Sequence, residues 1–463
     1  MRSDTIKPDF LTVLESEMPK GTFNADKVSL IAYGYDGSTS LTGQPDAVVH
    51  ISSEDQAQVI IRLAHEYGAP LYPRGAGTGL AGGSTPNGGV VMDFAPMNHV
   101  IEIDRECLMA VVEPGVITGD FQTVVEKMGL FYPPDPASLK QCTIGGNVAT
   151  CAGGPRCLKY GVTREYVRGL HFVVPGGEVI RDGGKYIKSA AGYNLSQLFI
   201  GSEGTLGVVT EITLRLIPLP ETAGTVLALF KDVEISASAV NGLLESGMLP
   251  SVIEFVDKTG IDCVQRTWDM GIEADVEAML LVESDGYSDS VRKELDRAKE
   301  ICHRHGAKRV ELAMEKSERD RLWKLRRSIS PALSKLMPNK LGEDISVPRS
   351  EIIHMVRKIR EIASRNDLMI PIFGHIGDGN LHPNVIFDMN NEEMMRRVEN
   401  AASELIHAAV SIGGTLSGEH GIGMLKKEFL PLAIPSINMD YYRRIKTLFD
   451  PLMIMNPAKI FDM

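Results

Sequence analysis

The chain has 463 residues, with 48 Lys and Arg against 60 Asp and Glu, a formal charge of −12 and 45 glycines. At roughly 150 residues per domain this is room for about two or three domains, each with its own core. An acidic chain without a basic run excludes counterion-driven nucleic-acid binding and disfavours an anionic membrane surface, and no stretch approaches the ~18 apolar residues of a membrane span.

The opening MRSDTIKPDF has no basic segment leading into an apolar one, so no signal peptide is expected and the default location is the cytoplasm. Residues 54–67 (EDQAQVIIRLAHEY) carry the period of a helix, Gly68 is its left-handed stop, and a strand begins within 69–72. The helix-then-glycine pattern recurs at 119–128 with Gly129 and at 290–305 with Gly306. Between 73 and 220 helix signals are scarce, and Gly, Pro and Asn turns alternate with β-branched strands at 90–93, 110–113 and 208–216. That is the pattern of a loop-rich α+β domain. The prolines of IPLPET (217–222) close the region and mark a domain boundary. Beyond them, helices near 233–246, 290–305 and 350–364 alternate with strands near 252–256, 278–283 and 308–312, and a hairpin is expected over 370–387.

Six cysteines contain no CxxC pair and no cluster spacing, which excludes a disulfide framework and an iron-sulfur centre in this chain. Cys302-His303-x-His305 resembles a fragment of a metal site. It falls at a helix end just before Gly306, however, where cationic side chains suit the terminal carbonyls.

The glycines come in blocks. PRGAGTGLAGG (73–83) contains a GxGxxG spacing, but GGSTPNGGV follows and cannot propagate the helix that a dinucleotide fingerprint needs, and no GKS or GKT makes it a Walker loop. What remains is a loop with glycines at 75, 77, 79, 82 and 83 whose successive N–H groups suit a diphosphate, beside the cation Arg74. Two more blocks, TIGGNVATCAGG (143–154) and GSEGTLGVVTEITLRLIP (201–218), read as further glycine-rich loops. Three such blocks exceed what turns require, because glycine costs folding entropy wherever it is not needed.

PIFGHIGDGNLHPNVIF (371–387) reads as strand, turn, strand with 377–380 as the turn, which sets His375 opposite His382. Directly opposed residues have Cβ atoms about 5 Å apart, close enough for two imidazoles to chelate one ion. SGEHGIG (417–423) supplies a further acid and histidine, and neither HExxH nor HxxEH occurs at the site. His375, His382 and Glu419 would leave positions open for substrate, and two imidazoles with one carboxylate suit Zn, Fe(II) or Mn(II).

In order and spacing, PRGAGTGLAGG, PPDP (133–136), IGGNVATCAGG and GSEGTLGVVTEITL resemble the FAD-binding domain of the vanillyl-alcohol oxidase and p-cresol methylhydroxylase (PCMH) type. The remainder is similar to the oxidase domain of the branch holding the glycolate oxidase FAD subunit, D-lactate dehydrogenase and D-2-hydroxyglutarate dehydrogenase. The resemblance covers the chain from about residue 40 onward. It implies an α+β fold: a two-subdomain PCMH-type FAD-binding domain over 1–219, a substrate or cap domain with an antiparallel sheet over 220–415, and a segment 416–463 returning to the first. It also implies that Pro73, Arg74, Gly75, Gly77, Thr78 and Gly79 hold the pyrophosphate. Pro134, Asp135, Ser138, Gly145, Gly146, Asn147, Gly153, Gly154, Glu203 and Gly204 would line the rest of the cofactor. NPAKIF (456–461) resembles the family's closing NPGK motif, with Ala458 in place of glycine, and suggests Asn456 near the flavin. RGAGTGL lacks the histidine by which some relatives attach FAD, so non-covalent binding is expected.

HIGDGNLH and GEHGIG match the family's metal and active-site motifs, which makes His420 the base and Asn384 a substrate contact by resemblance. Arg326, Ser330 and Lys340 fall where relatives bind substrate carboxylates. The expectation is oxidation of a D-2-hydroxy acid (D-lactate, glycolate or D-2-hydroxyglutarate), with a metal-assisted hydroxyl, His420 taking its proton and the Cα hydride passing to FAD. Electrons would leave to a separate acceptor, an electron-transfer flavoprotein or an iron-sulfur subunit. A non-catalytic flavin relay and a peroxide-producing oxidase of the same fold are the alternatives. The oligomeric state is open, with a homodimer among the options.

Overall fold

The computed structural model describes residues 8–38 and 41–463. The chain divides into two compact units, the first comprising Met1–Gly153, Val162–Leu219 and Glu419–Met463, the second Gly154–Gly161 and Pro220–Gly418. Helices and antiparallel strands occur in both, and the fold is α+β. No helix among the described residues is long and apolar enough to cross a membrane.

One sheet of the first unit orders β1 (Phe23–Asn24), β2 (Ala47–His50), β4 (Val90–Asp93) and β3 (Leu71–Arg74). β2 and β3 both run parallel to β4. Parallel strands need a crossover, which α1 (Glu54–Tyr67) supplies between β2 and β3. Ser53 caps α1 by accepting from Gln56 N, and Gly68 ends it at φ 67°. Ala57, Ile60, Ile61 and Ala64 of α1 share a buried cluster with Val49, Leu71 and Met92, each isoleucine contributing about 1.5–3 kcal/mol. The first glycine loop leaves the carboxyl end of β3, the end at which open parallel sheets bind ligands. The second sheet is antiparallel in the order β5 (Val100–Asp104), β6 (Met109–Val112), β10 (Val208–Arg215), β8 (Val167–Val173), β9 (Val179–Gly183). β7 (Leu130–Phe131) and β11 (Ile217–Pro218) pair separately.

The second unit is built on an antiparallel sheet in the order β15 (Arg309–Ala313), β12 (Thr222–Phe230), β14 (Ala278–Gly286), β13 (Val252–Asp257), β18 (Ile372–His375), β19 (Asn380–Phe387), β16 (Asn339–Gly342), with β17 (Ile345–Ser346) also on β19. Both faces are covered, so β13 is buried along its whole length instead of alternating. On one face Ile253, Phe255, Leu280 and Val226 join the larger core. On the other, Val256, Leu281, Phe373 and Ile386 pack under Leu322, Leu325, Ile329 and Leu333 of α3 (Lys316–Leu336), the long helix that carries Arg326.

The second glycine block is not a loop. Ile144–Thr150 is a short helix, α2, because Thr143 caps it by accepting from Gly146 N at 3.1 Å.

Candidate functional site

The glycine blocks of the first unit converge. A Cβ on Gly75 would clash with Thr143 Oγ1, so the first loop lies against the capped N-terminus of α2. The third block lies against the other end of α2, where Glu203 N donates to Ala149 O at 2.8 Å and Gly201 N to Val148 O at 2.9 Å. Gly204, at φ 70°, turns the chain beneath Pro73. Asn456 ties this assembly together, its Nδ2 donating to Gly83 O at 2.9 Å and to Glu203 O at 2.6 Å. Asn456 is 1 % exposed, and its Oδ1, like Ser84 Oγ and Thr85 Oγ1, is buried without a hydrogen-bond partner among the described residues. Buried polar atoms are normally satisfied, so three such atoms around converging backbone loops are the chemistry of a cofactor cradle, and an anionic dinucleotide fits it.

Arg74 ends β3, directly before the first loop. Its guanidinium is buried beneath Gly77, where Nη1 donates to Tyr35 O at 2.8 Å and Nη2 to Ala32 O at 3.4 Å. Burial lowers its pKa while Asp36 and Asp93 oppose the change. The cation therefore underpins the loop and braces residues 32–35. Asn147 likewise spends its Nδ2 on Thr118 Oγ1 at 2.8 Å, inside the fold. Pro134 is buried and its carbonyl accepts from Gln122 Nε2 at 2.8 Å, while Asp135 and Ser138 are partly exposed. Gly145 packs on Pro114. Gly153 and Gly154 are buried at the end of the second block, where the chain passes from one unit to the other.

Glu203 adopts φ 51°, a costly conformation for a non-glycine residue. Its carboxylate accepts from Ile422 N at 2.7 Å and Gly423 N at 2.9 Å, which fixes the backbone that follows Glu419 and His420. Burial pushes this carboxyl up to about 7 against those amides and the charge of Lys459. Lys459 donates to Thr85 O at 2.6 Å, and burial pulls it down to about 8.

In the second unit, the face of the sheet under α3 changes from apolar to polar along the strands. β18 and β19 pair as Phe373↔His382 and His375↔Asn380, with Ile376–Gly379 as the turn. The histidines are thus diagonal neighbours, not directly opposed as the expected turn at 377–380 required. Both remain on one face because their register offset is two residues, and their ring centroids lie 5.1 Å apart at 85°. Both are nearly fully buried.

Each faces a buried carboxylate. Phe255↔Gly374 and Val256↔Phe373 pairing sets Glu254 opposite His375, and Glu254, 0 % exposed, bonds His375 Nδ1 through one oxygen and Arg326 Nε through the other. Burial alone would raise the Glu254 carboxyl, but the charges of His375 and Arg326 hold it at about 2. Asp344 Oδ1 lies 3.7 Å from His382 Nδ1 and accepts from Asn380 Nδ2 at 2.7 Å, while its Oδ2 accepts from Ser417 Oγ at 2.7 Å. Arg326 lies over the Phe373 ring at 4.7 Å, and among the described residues Glu254 is its only carboxylate partner. Asn384 donates to His382 O at 3.0 Å, and β16 pairs Gly342 with Asn384 and Lys340 with Ile386, so Lys340 joins the same face. Its Nζ bonds Ser330 Oγ, and burial lowers its pKa. Arg326, Ser330, Lys340, His375, His382 and Asn384 are therefore brought together. Glu419 and His420 are the first two residues of the last run of the first unit.

Sequence reasoning missed Glu254 and Asp344. An acid in the middle of the apolar run VIEFV (252–256) was the available signal for the first: an uncompensated charge in a doubly covered strand is prohibitive, so that acid had to have cationic partners.

Residues 45–183 match a FAD binding domain, and residues 219–460 match the C-terminal domain of FAD linked oxidases. The chain is 42 % identical to the glycolate oxidase subunit GlcD of Bacillus subtilis over 95 % of its own length and 94 % of the relative's. It is 34 % identical to the D-2-hydroxyglutarate dehydrogenase of Stutzerimonas stutzeri, covering 98 % of this chain and 99 % of that one. Among solved structures, p-cresol methylhydroxylase with substrate bound superposes with a TM-score of 0.83 at 17 % identity, over 98 % of this chain and 96 % of the other, a likeness of fold.

Proposed function

The chain belongs to the FAD-linked oxidase family, and from that premise we propose that it is a dehydrogenase of D-2-hydroxy acids whose substrate carboxylate meets Arg326 and whose hydroxyl proton is taken by His420. The observation that supports this most is the buried pair His375 and His382, 5.1 Å apart on the face that also carries Arg326. Two imidazoles have no use in a flavin relay. Their donor chemistry fits a divalent ion, and in this reading His375, His382 and Glu419 hold Zn, Fe(II) or Mn(II). The glycine cradle from Gly75 to Gly83, α2 and the turn at 201–204 holds FAD without a covalent bond, and Asn456 borders it.

When bound, FAD supplies an acceptor for the Cα hydride and the ion supplies a Lewis acid for the hydroxyl. Arg326 orients the substrate: Glu254 engages its Nε, which leaves both terminal nitrogens for a bidentate carboxylate. Asn384 borders the same face. His420 holds the hydroxyl proton, and a base near neutral pH suits imidazole. Lys340 with Ser330 takes the second carboxylate of a diacid, which favours D-2-hydroxyglutarate over D-lactate and glycolate. The electrons pass to a separate chain, an electron-transfer flavoprotein or an iron-sulfur subunit; the word "subunit" in the name of the Bacillus subtilis relative supports a partner.

The test is turnover of the three acids with an artificial dye acceptor and with O2 alone. Dye reduction with little peroxide is expected. Stoichiometric peroxide at the same rate makes the chain an oxidase, and no turnover of any of the three removes the substrate assignment.

A further inference from the structure

In the reading above Glu254 serves only Arg326, yet it also touches His375, and with Asp344 it is one of the two fully buried carboxylates that face the histidines. It sits in the middle of β13, 0 % exposed, with one oxygen on the ring of His375 and the other on the guanidinium of Arg326. These partners lie 121 and 72 residues along the chain, on β18 and α3. A buried carboxylate between two apolar layers costs several kcal/mol before its partners offset it. Val256 and Leu281 on the same face show what an apolar residue could do there.

We propose that Glu254 is a positioning residue that serves the metal-ligand histidine and the carboxylate-binding arginine at once, so that metal affinity and substrate-carboxylate affinity depend on one side chain. The inference rests on the assignment of His375 and Arg326 made above. Accepting from Nδ1–H fixes the His375 tautomer and directs ligation through Nε2, and a carboxylate in that place makes the imidazole a stronger ligand. Accepting from Arg326 Nε fixes the plane of the guanidinium over Phe373 and thereby the direction of its terminal N–H groups. Glutamine in this place has one acceptor and one donor, so it satisfies only one of the two N–H groups and opposes the other.

The experiment uses the full-length flavoprotein after chelation. Zn(II) is titrated back in competition with a chromophoric chelator, and KM and kcat are measured for the preferred 2-hydroxy acid at saturating metal. Glu254→Gln is expected to weaken Zn(II) about 10- to 100-fold, the usual effect of losing such an outer partner, and to raise KM about tenfold, with kcat and FAD content near wild type. A merely structural role would lower flavin content and kcat together and leave the Zn(II) constant of the folded fraction unchanged. Should Glu254→Gln fail to give a cooperatively melting flavoprotein, Glu254→Asp is read in its place. It keeps the charge but is one methylene too short to reach both donors, so either the Zn(II) constant or KM must shift at least about threefold. Wild-type values for both constants in the folded variant overturn the inference and leave the dehydrogenase reading standing. A wild-type protein that takes up no stoichiometric Zn(II) overturns the metal assignment and this inference together.

Discussion

Gly79→Ala isolates the cofactor cradle from the fold. Among the described residues a Cβ at Gly79 meets nothing closer than Asp36 Oδ2 at 3.9 Å, and Gly79 does not have a positive φ, so alanine is accommodated there without strain. Through the unfolded chain alone such a change stabilises by about 0.4–1 kcal/mol. If the backbone of this loop approaches the diphosphate, the added methyl meets the ligand instead. Overpacking of one methyl costs about 1–3 kcal/mol, which is about 5- to 150-fold in the FAD dissociation constant. The assay is a thermal melt of the flavin-stripped protein together with a FAD titration followed by fluorescence quenching. A melting temperature equal to or above wild type, with FAD at least about fivefold weaker, is expected. Gly75→Ala is the contrast: its methyl clashes with Thr143 and loosens the cap of α2, so stability and FAD binding fall together. Unchanged FAD affinity in a stable Gly79→Ala protein would refute the placement of the diphosphate on this loop.

Three further outcomes follow from specific contacts. Lys446→Met removes a buried ammonium that donates to Thr205 O at 2.6 Å, Met455 O at 2.9 Å and Asp450; chemical denaturation should show a loss of about 3 kcal/mol, part of it recovered by adding Asp450→Asn. Glu203, raised from 4.5 to about 7 by burial, stabilises the fold below its unfolded pKa and loses that contribution as pH rises through 7. Relative to Glu203→Gln, the wild type should lose up to about 3 kcal/mol between pH 4.5 and 7, and a pH-independent difference in melting temperature would contradict it. Lys340→Met should raise KM for D-2-hydroxyglutarate about tenfold and leave D-lactate and glycolate unchanged; equal effects on all three would place Lys340 outside the pocket.

Local signals were read well where local forces decide. α1 spans the expected 54–67 because Ser53 caps it and Gly68 stops it, and both are properties of neighbouring residues. The hairpin was found but its turn was displaced by one residue, since the choice between Ile376 and Asn380 as the turn member is made by pairing with β13 and β17. The helix α2 was hidden by its own glycines, whose poor propensity is outweighed by the Thr143 cap and by packing of Gly145 against Pro114. Arg74 was recognised as a loop cation, but its carbonyl partners at 32 and 35 are contacts between distant segments that spacing does not encode. Glu254 showed only as an acid inside an apolar strand, and its partners on β18 and α3 are likewise distant contacts that spacing does not encode. The histidines, by contrast, were legible because a period of two keeps them on one face in either register.

The most direct test of the dehydrogenase reading is the flavin absorbance of the anaerobic protein during titration with D-2-hydroxyglutarate, D-lactate and glycolate, before chelation, after it, and after return of the divalent ion. Stoichiometric bleaching of the flavin by at least one acid, lost on chelation and restored with the ion, is the predicted result. A flavin that none of the three acids bleaches in the metal-replete protein, or one that is bleached equally well after chelation, would contradict it.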